Sequence, residues 1–423
     1  IKTANFTAAS GEGYFCNTSG GAFTLTLPSS PSVGDIVALK DYASSFNSEA
    51  LTIGRGGSNL NGDAVDSVRS TQNESLTLVY ADATKGWISV EEGTGFIGRA
   101  FIQATGGTVS CTGNCRVHTF TGPGTFCVSS LANCASNNVV SYLVVAGGAS
   151  GGAGDGGAGG GGGAGGVREY KSPVTPYTAS PLDGNPGGTA ITVTATCFPI
   201  TVGGGGAAAV NPPGGNPGNA GNPSTFSTVT STGGGGGWGG PGNVGAGLSG
   251  GSGGGAVGIQ GYPSPTAKQP GGAGNTPSVS PSQGNPGGEG NDGFVAFTAG
   301  GGGGGAGAAG TPYTPTSFPT PGPSAGGMTG GAGVTTEISG SSTAYGGGGG
   351  GVTNNCGTEG AGGTGGGGAG LANSPGPSHP GQSATSGTDN TGGGGGAIAR
   401  CAPGTTNSGA GGSGVVIIRY KRQ

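Results

Sequence analysis

The residues best suited to acid–base chemistry in this chain of 423 residues are two histidines, His118 and His379. Catalysis through histidine needs a nucleophile and an orienting acid within hydrogen-bond reach. His118 stands in Val117-His-Thr-Phe120, which reads as a strand, so it is expected on a β face. His379 stands in Ser374-Pro-Gly-Pro-Ser-His-Pro380 and reads as an exposed loop residue. Among the carboxylates of the glycine region, Asp155, Asp183, Glu289, Asp292, Glu337, Glu359 and Asp389 show no spacing that suggests the paired acids of a glycosidase. No Asp-x-Asp-x-Asp calcium loop occurs. With 111 glycines, GxGxxG matches arise by chance, and none opens a helix after a strand as a phosphate or dinucleotide loop must. The expectation is a protein that is not an enzyme and uses no cofactor or metal.

The eight cysteines are Cys16, Cys111, Cys115, Cys127, Cys134, Cys197, Cys356 and Cys401. None lies beside a histidine at zinc spacing, and Cys111-x3-Cys115 has no second pair to complete a site. The even count suits disulfides and an extracellular setting. The disulfide candidates are Cys111, Cys115, Cys127, Cys134, Cys356 and Cys401. Free buried thiols remain an alternative for several of them.

Aromatic side chains in proline-rich stretches are the candidates for ligand contact: Tyr177, Tyr262, Tyr313 and Phe318, joined by His379. Such rings stack on sugars or anchor in protein pockets. Trp238, Phe294, Phe297 and Tyr345 adjoin glycine and are expected to pack against the glycine region.

The background to these residues is sparse in charge: 8% of the chain is charged, with a net charge of −4. The basic residues cluster only at Arg419, Lys421 and Arg422, which argues against nucleic acid binding through phosphates. No apolar run approaches the ~20 residues of a membrane helix, so no membrane insertion is expected.

Residues 1–93 read as a small β-sandwich or barrel module. Its strands are expected around Phe23–Leu27, Ile36–Leu39, Leu51–Ile53, Leu76–Tyr80 and Gly86–Val90, with turns at Gly56-Gly57, Asn61-Gly62 and Lys85-Gly86. Residues 94–146 read as a β connecting region. There Val117–Phe120 and Thr125–Val128 flank Gly122-Pro-Gly124, and Tyr142-Leu-Val-Val145 forms the first strand of a glycine-rich domain over 147–423. That domain has glycine runs at 159–163, 203–206, 233–237, 253–255, 300–305, 346–351, 365–368 and 392–396, and it ends on Val415-Val-Ile-Ile-Arg-Tyr420. A disordered tail has no reason to end on an apolar strand. Pairing of that strand with Tyr142–Val145 would pin both ends of the glycine region.

The glycines are consecutive, so collagen, which needs glycine at every third position, is excluded on this reading. The apolar ends argue against a flexible linker. The remaining structure is a bundle of extended left-handed helices, three residues per turn, whose N–H and C=O groups bond between neighbours. The expected fold is thus all-β N-terminal modules followed by a polyglycine II helix bundle, a slab closed by a terminal β-strand, with almost no α-helix. Linkers would emerge at the slab faces as clustered loops on a rigid scaffold, where binding residues accumulate.

Several motifs carry a resemblance. Tyr142-Leu-Val-Val-Ala-Gly-Gly148, the glycine runs and Gly411-Gly-Ser-Gly-Val-Val-Ile-Ile-Arg-Tyr420 resemble the glycine-rich domain of tail-fibre proteins in marine phages, especially cyanophages. His118-Thr-Phe-Thr-Gly-Pro-Gly-Thr-Phe126 resembles the lead-in strand pair of that domain, and residues 1–93 resemble a β module of the same proteins. The chain is also similar in composition to polyglycine II tail-tip adhesins, but its linkers are longer and its runs less regular. The resemblance implies a virion location, at a tail fibre or tail tip and so extracellular, and a homotrimer. It further implies other virion tail proteins as partners and a host cell-surface receptor, a glycan or an outer-membrane protein, met by the distal loops. A purely structural virion or extracellular filament protein is the alternative, and an ice-binding protein the third reading.

Overall fold

The structure is a computed structural model. It describes residues 1–90, 101–154, 157–210, 215–239, 245–258, 268–291, 298–313, 328–353, 359–371, 383–399 and 407–422. Contacts divide the chain into two compact units, one of residues 1–102 with 130–137, the other of residues 103–129 with 138–422. The described residues are nearly all β or extended, with no α-helix and one 3₁₀ turn, Ala135–Asn138.

Among its described residues the first unit has eight strands: β1 (Phe6–Thr7), β2 (Glu12–Cys16), β3 (Phe23–Thr26), β4 (Ile36–Asp41), β5 (Leu51–Gly54), β6 (Ser67–Arg69), β7 (Ser75–Asp82) and β8 (Gly86–Ser89). They form two four-stranded sheets, β1-β3-β5-β6 and β2-β4-β7-β8. Successive strands from β1 to β5 alternate between the sheets, and β1-β3-β5 and β2-β4 pair parallel. The chain therefore winds as a short coil before β6, β7 and β8 close it antiparallel. Alternation along the strands sends Phe23, Leu25, Val37, Leu39, Leu51, Ile53, Leu76 and Leu78 inward with Phe46 and Trp87. Cys16 lies in this core, and burial pushes its thiol up to about 11, so it is an unreactive apolar residue. The turn into β8 needs Gly86: at φ 70° a Cβ there would stand 1.8 Å from the Asn59 carbonyl oxygen.

Among its described residues the second unit has fifteen strands. They are β9 (Gln103–Thr105), β10 (Thr108–Thr112), β11 (Cys115–Phe120), β12 (Gly124–Ser130), β13 (Val139–Val145), β14 (Ala153–Gly154), β15 (Val167–Tyr170), β16 (Ile191–Thr192), β17 (Cys197–Thr201), β18 (Ser224–Phe226), β19 (Val229–Ser231), β20 (Val334–Thr336), β21 (Thr343–Tyr345), β22 (Ile398–Ala399) and β23 (Val415–Lys421). One sheet runs β10-β11-β23-β13-β15, with β16 also on β13, and another runs β19-β18-β17-β12-β9. The two ends of the glycine region do pair: Tyr142 faces Ile418, Leu143 faces Ile417 and Val145 faces Val415 across β13 and β23. β11 and β12 are not a strand pair. They lie in different sheets, and Gly122-Pro-Gly124 carries the chain from one to the other. β9, β10, β11 and most of β12, read from sequence as a connecting stretch, belong to the second unit.

Aromatic rings fill the space between these two sheets. Phe126 lies 6.1 Å from Tyr420 and 6.2 Å from Phe226, which lies 6.1 Å from Tyr142. The other face of the β13–β23 sheet buries Val117, Leu143, Val145, Val415 and Ile417 with Tyr177, Val334, Ile338 and Tyr345.

Cysteine pairing differs from the expectation. Cys127 of β12 is bonded to Cys197 of β17, its register partner. Cys111 and Cys115 are unbridged. Their cross-strand partners are Arg116 and Thr112, so the two thiols lie on opposite faces of the β10–β11 hairpin and cannot meet. Cys134 lies 3.2 Å from the Ser136 hydroxyl, and Cys356 and Cys401 fall outside the described residues. The bond closes a sequence separation of 70 residues. Loop-closure entropy puts its contribution at about 4 kcal/mol. Cys127→Ser is therefore expected to lower the second unit's unfolding free energy by 2–4 kcal/mol in denaturant titration, roughly as the reductant-treated parent does.

Candidate functional site

His118 is fully buried in β11, with its ring stacked 5.5 Å from Tyr420. One ring nitrogen is 2.7 Å from the Gly106 carbonyl oxygen and must carry the proton donated there. The other is 3.0 Å from the Tyr420 hydroxyl and accepts from it. Both nitrogens are used, so the ring is a neutral structural residue on a β face. Burial pushes its pKa below the usual histidine range, although the Gly106 bond opposes this. As pH drops below about 6.5 the unfolded His118 takes up a proton before the folded ring does. Stability is then expected to fall with pH from there, by up to about 1.4 kcal/mol per pH unit, until the folded ring is protonated too. His118→Asn should flatten that slope in urea titrations.

A second buried polar group surrounds Glu169 of β15. Its carboxylate accepts from the Ser180 N–H at 2.9 Å and the Thr336 hydroxyl at 2.6 Å. Burial nevertheless raises its pKa. Nearby, the Arg419 guanidinium donates to the carbonyls of Pro176 (2.7 Å), Glu337 (3.2 Å) and Ile338 (3.3 Å) and stands 5.0 Å over the Tyr177 ring. Tyr177 is 9% exposed and belongs to the core, so it is not available for ligand contact. Its proline-flanked setting marks it in the sequence for ligand contact, whereas Arg419 and the apolar face of β23 draw the ring inward. Among the described residues no cluster of three His, Cys, Asp or Glu side chains could hold a metal ion.

The dominant feature is the packing of the glycine runs. Every N–H from Gly160 to Gly166 bonds to another run, and the partners repeat every third residue. Gly160, Gly163 and Gly166 donate to Trp238, Gly235 and Thr232; Gly161 and Ala164 donate to Gly301 and Gly304; Gly162 and Gly165 donate to Gly395 and Gly392. Its carbonyls accept from three further runs, through Ala146, Ala149 and Gly152, through Ser252 and Gly255, and through Gly349 and Val352. The 159–166 run thus has six neighbours: 146–153, 232–239, 251–258, 299–306, 346–353 and 392–399. Each of the six also bonds to the next around the ring, for example Gly234 to Gly147, Gly235 to Ser252, Gly301 to Ala256, Gly300 to Val352, Gly394 to Gly347 and Gly395 to Ala149. Ala164 brings the one side chain of this stretch, a single methyl; at its glycines there is no room for one. A Cβ on Gly161 would meet the Gly349 carbonyl oxygen at 2.1 Å.

Outside this ring lie the runs 203–210, 215–223, 245–250, 268–276, 284–291, 308–313, 328–333, 359–364, 366–371, 383–388 and 407–414, bonded inward and to one another. Their sequences differ for a physical reason. A three-residue repeat enclosed on all sides is glycine at nearly every position, with Ala164 the exception in 159–166, whereas one with an outer face needs glycine only where it faces in. Gly215-Asn-Pro-Gly-Asn-Ala-Gly-Asn-Pro223 has this form, with Gly218 and Gly221 directed at the carbonyls of Ser150 and Gly147. Its Asn216, Asn219 and Asn222 amides donate to the carbonyls of Val210 (3.1 Å), Ala207 (2.8 Å) and Gly204 (3.3 Å), a ladder that also steps by three. Glycine at every third residue is therefore present in the outer runs, beside the consecutive glycines of the inner ones. This period was the signal in the sequence that could have placed 215–223 inside the domain.

A family model for a glycine-rich domain matches residues 119–421. The chain belongs to this glycine-rich domain family. The match begins in β11 and ends in β23, so it spans all the glycine runs and the strands from β12 on, while β9 and β10 precede it. No curated protein matches the chain.

The runs of the glycine-rich domain have two unlike ends. At the sheet end, connections are ordered pieces such as the β18–β19 and β20–β21 hairpins. At the other end, single bridges join Ala153 to Asn216, Ala158 to Gly258, Val210 to Asn407, Gln269 to Gly290 and Ala299 to Thr353. The connections 211–214, 240–244, 259–267, 292–297, 314–327, 354–358, 372–382 and 400–406 all depart from run ends on that side. Tyr313 is there, half-buried, its N–H donating to the Glu289 carbonyl at 3.1 Å. Tyr262, Phe318 and His379 belong to these connections and lie outside the described residues. Trp238 is half-buried against Gly245, and Tyr345 is buried beside β20. Phe294 and Phe297 are outside the described residues.

Proposed function

We propose that the glycine runs are polyglycine II helices packed side by side, and that the chain is a phage tail-fibre or tail-tip adhesin. In this reading the bundle is a rigid mount. The connections leaving its far end, with Tyr313, Tyr262, Phe318 and His379, meet a glycan or outer-membrane protein on the host cell. The observation that supports it best is the step of three along 159–166, with six bonded neighbours: a left-handed helix of three residues per turn directs its groups in this way. Rigid mounting matters because loops held at their ends lose less entropy when they bind. The resemblance of Tyr142–Gly148 and Gly411–Tyr420 to phage tail-fibre sequences supports the virion setting, the trimer and the other tail proteins as partners.

Replacing 259–267, 314–327 and 372–382 together with Gly-Ser linkers tests the adhesin reading. The intact chain is expected to bind cells of at least one cyanobacterial strain in a panel, and the replaced chain to bind at least tenfold more weakly with an unchanged melting temperature. Equal binding by both chains would count against these connections. An intact chain that binds no strain but polymerises would favour the filament protein.

A further inference from the structure

Among the described residues the outer belt of runs is one short of complete. In hexagonal packing six rods surround one, and the next shell has twelve places. The belt closes bond by bond from 215–223, through 203–210 (Asn222 N–H to Gly204 carbonyl, 3.0 Å), round to 245–250 (Gly247 N–H to Pro270 carbonyl, 3.1 Å). Between 245–250 and 215–223 no hydrogen bond runs. Each instead flanks 232–239, through Gly218 to Gly237 (2.7 Å) and Leu248 to Gly236 (3.0 Å). The empty place therefore lies against 232–239.

The backbone of 232–239 carries the same gap. Gly234 and Gly237 donate to Gly147 and Ser150, and Gly235 and Trp238 donate to Ser252 and Gly255. The third set, Gly233 and Gly236, donates to nothing among the described residues, although both glycines are buried. Every N–H is paired in the enclosed stretches 160–166 and 300–306. A buried unpaired N–H costs about 1–3 kcal/mol, so two in register are a built feature that a ligand can satisfy. At the far end of the groove the Trp238 indole lies against Gly245, its ring N–H buried without a partner.

We propose that this groove docks a glycine- and proline-rich segment of a partner polypeptide, bound extended with three residues per turn. The ligand must place carbonyl oxygens about 9 Å apart along one side, which such a helix does at about 3.1 Å per residue. Glycine is needed on the side facing Gly233 and Gly236. Proline suits the outward side, where it fixes the conformation and leaves no N–H unpaired. The neighbouring 215–223 run, Gly-Asn-Pro in repeat, already has this form. The described runs of this chain are all occupied in its own bundle, and the proposed occupant is a separate polypeptide; a segment of this chain seated there would already protect Gly233 and Gly236 in the free protein, which the experiment below reads. The proposal does not depend on what the far-end connections bind.

Amide exchange by NMR on the intact chain, with and without acetyl-(Gly-Asn-Pro)4-amide, tests it. Alone, Gly233 and Gly236 are expected to exchange faster than Gly234, Gly235 and Gly237. At a peptide concentration of 100 Kd they should slow by about 100-fold. Acrylamide quenching of Trp238 should fall in parallel, with Trp87 silent because it is fully buried. A peptide of the same composition without the three-residue glycine period should do neither. The proposal is overturned by equal protection of all five amides in the free protein, by no slowing with the repeat peptide, or by equal slowing with both peptides. Protection that grows with protein concentration alone would also overturn it, because a second copy would then be the occupant.

Discussion

Gly161→Val is expected to abolish cooperative folding of the second unit. Valine keeps the N–H that bonds to Gly301, so no hydrogen bond is deleted. It adds a Cβ 2.1 Å from the Gly349 carbonyl oxygen, where real contacts do not fall below 3.0 Å. In a hydrophobic core a rotamer could shift, at a cost of about 1–3 kcal/mol. Here the obstacle is backbone, and moving 346–353 strains the bonds it makes to its own neighbours. The cost is expected to exceed about 4–5 kcal/mol, a large part of the 5–15 kcal/mol that holds an ordinary domain. Ala220→Ser, on the exposed side of 215–223, is the matched control and should stay within about 0.5 kcal/mol. Thermal unfolding followed by circular dichroism reads the difference. An intact transition for Gly161→Val within 1–2 kcal/mol of the parent would mean that 159–166 is not enclosed.

Ile417→Asp is the second large effect, expected to prevent closure of the glycine region. Ile417 is 1% exposed in β23, between Thr119 of β11 and Leu143 of β13. An unpaired carboxylate there loses its water without gaining a cation, at several kcal/mol even after it takes up a proton. The glycine runs bury few side chains, so the order of the bundle depends on ends that are held. Ordering glycine carries the highest backbone entropy of any residue. The variant is expected to lose amide protection from Ala146 to Gly414 together, while Trp87 emission from the first unit is unchanged. Loss confined to β23 would show that the runs hold without their closing strand.

The sequence makes the two ends of this unit legible. Tyr142–Val145 and Val415–Tyr420 are apolar on both faces, which suits strands buried between layers, and the structure pairs them. The strands of the first unit follow from alternation at Phe23–Leu27 and Leu76–Tyr80 in the same way. The consecutive glycines at 159–163, 300–305, 346–351 and 392–396 mark enclosed runs. The outer runs are harder to see. Segment 215–223 looks like a polar linker until its glycines are read at every third place. The Cys127–Cys197 bond depends on register between β12 and β17, which no local pattern encodes. Tyr177 misleads because its neighbours are proline and threonine, while the group that holds it, Arg419, lies 242 residues away in sequence.

Scalar couplings across hydrogen bonds, measured by NMR on the labelled chain, test the packing most directly, because each links one N–H to one carbonyl carbon. From Gly160 to Gly166 the account predicts partners in the order Trp238, Gly301, Gly395, Gly235, Gly304, Gly392 and Thr232. Couplings from that stretch to a single neighbouring run, as in a β-ladder, or no couplings at all, would contradict it.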